Sequence, residues 1–162
     1  MRIKPFALIA AVIATPAAFA QNVVTERSIG HAAATEAALA AVSDCLAKGY
    51  RVSAAVVNQA GQVKAIVRAD GAGPHTLDTS RRKAYTSATF RAPTTPVMEG
   101  WQKNPAAQNL VFINDILAVG GGLPIRVGND VIGAIGVGGA PGGHLDDACA
   151  QAGIDKIKDR LN

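Results

Sequence analysis

Leu123-Pro124-Ile125-Arg126-Val127-Gly128-Asn129-Asp130-Val131-Ile132-Gly133-Ala134-Ile135-Gly136-Val137-Gly138-Gly139-Ala140 is the stretch from which the rest of the chain is read. Two apolar runs, Leu123 to Val127 and Asp130 to Val137, flank Gly128-Asn129, a pair suited to a tight hairpin turn. Its glycines contain no GxGxxG and leave a hairpin strand rather than one feeding straight into a helix, which argues against a dinucleotide-binding parallel sheet. Gly133 and Gly136 thin the strand, so that a helix, a ligand or another subunit can approach its backbone.

Upstream, Arg51 to Val57 and Gln62 to Arg68, the latter with Val63, Ala65 and Val67 alternating, flank the turn Asn58-Gln59-Ala60-Gly61 and form an earlier hairpin. Helices are expected before, between and after the two hairpins. Ile29 to Lys48 is alanine-rich, with Thr35, Leu39, Val42 and Leu46 at spacings of three and four, Gly49 as its stop, and Thr25 or Ser28 as its cap. Asp70-Gly71-Ala72-Gly73-Pro74 breaks the second strand, and Leu77 to Phe90 follows as a helix with Ser80, Ala84 and Ala88 on one side. Leu145 to Leu161 closes the chain with Ala150, Ile154, Ile157 and Leu161 inward. Pro93, Pro96 and Pro105 make the part after Arg91 loop-like, while Asn109 to Val119 suits either a helix or an extended segment. The pattern implies one α+β unit, a single antiparallel sheet covered by helices.

The start of the chain reads as an export signal. Arg2 and Lys4 are positive, Phe6 to Ala14 is apolar, and Ala18-Phe19-Ala20 precedes Gln21 as a small-x-small cleavage site. Residues 1–20 are therefore expected to be removed, leaving 21–162 as one domain in the periplasm or secreted, with no integral membrane segment in the mature chain. The 16 basic and 12 acidic residues become 14 and 12 without Arg2 and Lys4. A net charge of +2 with no long basic tract does not indicate nucleic-acid binding, and Arg81-Arg82-Lys83 reads as the solvated side of a helix.

Cys45 and Cys149 lie in the first and last helices of a chain bound for an oxidising compartment. Their separation excludes a CxxC motif, and a disulfide tying the two helices together is favoured over two buried free thiols or a catalytic thiol. His31 has only Glu36 nearby, and His144, beside Asp146 and Asp147, reads as local capping or surface polarity rather than a metal site. His75, between a glycine-rich break and a helix, is equally suited to a plain surface loop and to presenting its ring to a ligand or metal. Met98 and Trp101 are expected to close the core rather than to line an apolar pocket. No GxSxG, HExxH or P-loop is present, so an ordinary hydrolase is not indicated.

Val56-Val57-Asn58-Gln59-Ala60-Gly61, Arg68-Ala69-Asp70-Gly71-Ala72, Arg82-Lys83-Ala84-Tyr85-Thr86, and Gly121-Gly122-Leu123-Pro124-Ile125 with Val131 to Ala140 together resemble the GlcG/HbpS-like family of small haem-binding proteins. This family is also similar to the C-terminal domain of PduO-type proteins. The resemblance covers residues 25 to 160 and implies a profilin-like fold with a five-stranded antiparallel sheet, the fifth strand coming from Asn109 to Leu117 or from the chain's start. It further implies homo-oligomers, of dimers or larger rings, and haem as cofactor. Where the family's iron-binding ExxE pattern would fall, this chain has Asp78-Thr79-Ser80-Arg81. The expected pocket lies between the Asp70 to His75 loop, the following helix and the strand ending at Ala140. In it His75, with His31 as rival, is the candidate iron ligand, Arg82 or Lys83 pairs with a propionate, and Gly136 and Gly138 provide space. The expected function is an exported haem or small-molecule binder. The alternatives are a sensor accessory without a tight ligand, and an enzyme acting on a small organic acid or haem.

Overall fold

Both hairpins form where the alternation puts them, and among the described residues together they make the sheet. The computed structural model describes residues 24–161; the expected export signal and its cleavage point lie outside the described residues. In chain order the elements are α1 (His31–Ala47), β1 (Ser53–Asn58), β2 (Val63–Arg68), α2 (Thr76–Phe90), α3 (Thr94–Lys103), a 3-10 stretch (Pro105–Phe112), β3 (Gly122–Val127), β4 (Asp130–Gly138), α4 (Gly143–Ile157) and a short 3-10 turn (Lys158–Arg160). Every strand pairs antiparallel in the order β2-β1-β4-β3.

Among the described residues four strands form the sheet, not five. The residues expected to supply the fifth satisfy their backbone elsewhere. Pro105 opens the 3-10 stretch, the Asn104 side chain accepts from Ala106 N–H, and Leu117 N–H donates to Thr86 Oγ1 on α2 at 2.7 Å. Residues 104–119 thus form a strap over α2. The segment read as loop-like contains a helix, α3, because Pro93 is its N-cap, Pro96 falls in its first turn and Pro105 lies beyond its end. None of these prolines removes an intrahelical hydrogen bond.

Three layers result, with α2 on one face of the sheet and α1 and α4 on the other. α1 presents an alanine row, Ala34, Ala37, Ala38 and Ala41, to α4, while Leu39 and Leu46 of the expected inner stripe are half exposed. Small residues win because the helices approach closely: a methyl on Gly153 of α4 would stand 2.6 Å from Ala37 O. The cap of α1 is Gly30 with no side-chain bond, so neither Thr25 nor Ser28 serves. Cys45 and Cys149, both fully buried, join α1 to α4 through a disulfide.

On the opposite face α2 lies flat on the row Ala55, Gly136 and Gly122, which are aligned across three strands. A Cβ on Gly136 would collide with Ser80 O and Ala84 N of that helix. Gly136 and Gly138 are therefore the footprint of α2, the first of the three partners that the thin strand allowed, whereas a Cβ on Gly133 would meet Val57 O and the Ile29 side chain.

Candidate functional site

α2 begins just after His75, and His75, Thr79 and Lys83 follow one another at intervals of four, which stacks them along one stripe of the helix. The stripe faces the Gly139 to Gly143 turn that carries the chain from β4 into α4. Between them is an open cleft of about 360 Å3, with Leu117 and Val119 of the strap forming its apolar side.

The floor of this cleft is charged and buried. Lys83 is 5% exposed and Asp146, in the first turn of α4, is 2% exposed. Lys83 Nζ donates to Asp146 Oδ2 at 2.8 Å and to Val137 O at 3.0 Å, and Asp146 Oδ1 accepts from Ala140 N–H at 3.1 Å. Burial pushes the Asp146 carboxyl above its ordinary value, while the charge and hydrogen bond of Lys83 and the Ala140 N–H oppose that shift. The next residue, Asp147, accepts from Gly121 N–H at 2.6 Å and from Thr95 Oγ1 at 2.8 Å. Gly121 has φ +119, and a Cβ on it would stand 2.9 Å from Lys83 Nζ, so glycine is required where this loop crosses the ion pair. Two adjacent aspartates thus hold α2, α3, the start of β3, the end of β4 and α4 around one point.

Several expected site residues are placed differently. Lys83 is not on a solvated side, and Asp146 is not surface polarity; each offsets the other's burial. His75 is exposed at the cleft mouth. His31 is exposed at the start of α1, where Ile29 N–H donates to Ile132 O at the beginning of β4, whereas His75 lies beside the end of β4. The two histidines do not share a site. Arg82 donates to Ile116 O at 2.8 Å, and Arg81 bridges Asp78 at 2.9 Å and Asp115 at 2.6 Å, so both arginines fasten the strap instead of lining the cleft. Arg82 Nε is buried without a partner. The space expected at Gly136 and Gly138 is filled by α2, with Thr79 Oγ1 2.6 Å from a Cβ at Gly138. His144 is exposed, and among the described residues no three metal-ligating side chains cluster. Met98 and Trp101, expected to close the core, line an open apolar groove of about 530 Å3 on the far side of the strap, with Val111, Phe112 and Ala118. Trp101 also packs edge-on against Phe90, with ring centroids 5.3 Å apart.

The fold and the site define a class, a small α+β domain whose cleft is built between a helix face and a glycine-rich turn over a buried ion pair. The family model described as haem degrading protein HbpS-like matches residues 29–155, and the chain belongs to that family. A double mutant of HbpS from Streptomyces reticuli is 35% identical, with a TM-score of 0.79 over 90% of this chain and 97% of that one. Protein ORFY of Klebsiella pneumoniae is 27% identical, with a TM-score of 0.81 over 87% of this chain and 98% of its own. The haem complex of PduOC is 19% identical and shares the fold, with a TM-score of 0.72 over 80% of this chain and 95% of that one. Among the described residues, no helix is long and apolar enough to cross a membrane.

Proposed function

We propose that this protein binds haem, or a closely related tetrapyrrole, at the cleft between α2 and the Gly139 to Gly143 turn, as an exported protein. The observation that carries the reading is the stripe His75, Thr79 and Lys83, which sets an imidazole at the mouth of a cleft with an apolar wall and the Lys83–Asp146 ion pair at its floor. The family description and the haem in the PduOC complex support the same ligand class.

The residues suit the group. An imidazole nitrogen of His75 would hold the iron, and Leu117, Val119, Ala140 and Pro141 would meet an edge of the macrocycle. Lys83 keeps one ammonium hydrogen beyond its two bonds, to Val137 O and Asp146, and this hydrogen suits a propionate oxygen. Iron bound there would supply redox and dioxygen chemistry that no side chain of the cleft has. The cleft is small for a whole macrocycle, so the remainder lies at the surface or under a second chain. The buried disulfide fits an oxidising compartment and supports export.

Haemin titrated into the wild type is expected to give a saturable Soret change, and H75A is expected to weaken it by about tenfold or more with an altered spectrum. Unchanged affinity and spectrum in H75A would remove the ligand role. Absence of saturation in the wild type would remove the haem reading.

A further inference from the structure

A separate recess lies at the other end of the sheet. It measures about 310 Å3 and is walled by Arg27 ahead of α1, Gln59 of the first hairpin turn, Arg91 at the end of α2, and Arg126, Asn129 and Asp130 of the second hairpin. Three guanidiniums face two carboxylates there, Asp130 and Glu26. Among the described residues the one contact between opposite charges there is Arg27 to Asp130 at 3.5 Å, at side chains 50% and 65% exposed, where an ion pair holds little. Neither Arg91 nor Arg126 meets a carboxylate among the described residues. Arg126 is instead pinned by main-chain carbonyls, donating to Arg91 O at 2.6 Å and Asn129 O at 3.4 Å, which orients its remaining N–H groups in advance.

Arg91 adds a second kind of observation. It ends α2 in the left-handed conformation, with φ 52 and ψ 33, a position where glycine or asparagine is at ease and a long side chain is not. Its guanidinium makes no hydrogen bond or ion pair among the described residues and lines the recess. An arginine kept where glycine would hold the turn more cheaply, and aimed at an already positive recess, is a strained position of the kind that accompanies ligand sites. We propose that this recess binds a phosphate group, either free or on a small phosphomonoester. Guanidinium forks match phosphate oxygens, a dianion answers more than one arginine, and the volume suits a small ligand.

The test follows arginine Nε–Hε and backbone amide signals by NMR while inorganic phosphate, glycerol phosphate, acetate or sodium chloride is added at matched ionic strength. Phosphate is expected to saturate and to shift the signals of Arg27, Arg91 and Arg126, while chloride and acetate do not. A tighter glycerol phosphate indicates an organic phosphate, and a tighter inorganic phosphate the free ion. R91G keeps the left-handed turn, so it is expected to melt at or above the wild-type temperature, to bind haemin as the wild type does, and to lose phosphate by about tenfold or more. Wild-type phosphate affinity in R91G, a lowered melting temperature in that variant, or shifts that chloride or acetate reproduces would each overturn the proposal.

Discussion

Asp146→Asn tests the floor of the cleft directly. The substitution keeps size and an oxygen for Ala140 N–H, but it turns an amide toward Lys83 Nζ and leaves the ammonium of a residue only 5% exposed with Val137 O alone. The folded variant then buries that charge without its partner. Losing one partner of a buried pair costs about 3 to 5 kcal/mol in general. Urea unfolding of wild type and variant at neutral pH measures it, and the double variant Lys83→Met with Asp146→Asn should recover much of the loss. A penalty below about 1 kcal/mol, or a double variant no more stable than Asp146→Asn alone, would refute the account of the pair.

Gly136→Ala should cost about 1 to 3 kcal/mol or more, read by thermal unfolding, because its methyl meets the backbone of α2 and not a movable side chain. Replacing Cys45 and Cys149 together by alanine should cost about 2 to 5 kcal/mol, and peptide mapping without reductant should recover the linked pair from wild type. The Arg81 hydrogen bond holds the Asp115 carboxyl below the ordinary aspartate value of 3.8. Its stabilising contribution is therefore present above that value and lost as pH falls through the lower folded value. A carboxyl NMR titration should place its midpoint below 3.8, and Arg81→Ala should return it upward.

Periodicity made the hairpins and three of the helices legible, since each is a local pattern. The remaining features depend on partners distant in sequence. Three prolines obscured α3 because their meaning depends on where the helix starts, and they bracket it instead of breaking it. The leucine stripe of α1 misled because contact with α4 at Gly153 selects the alanine face. Lys83 sits in an Arg-Arg-Lys run that looks solvated, and its partner lies 63 residues away, so spacing could not join them. A cleft does lie between the start of α2 and the end of β4, but the glycines expected to open it hold α2 in place.

The central claim is the position of the ligand, and chemical-shift mapping with zinc protoporphyrin IX, a diamagnetic stand-in for haem, tests it most directly. The account predicts that the amides moving on titration are those of residues 72–83, 117–119 and 139–146, around His75 and Lys83. Shifts gathered instead on Met98, Trp101, Val111 and Phe112 of the apolar groove would contradict it, as would a spectrum that does not move.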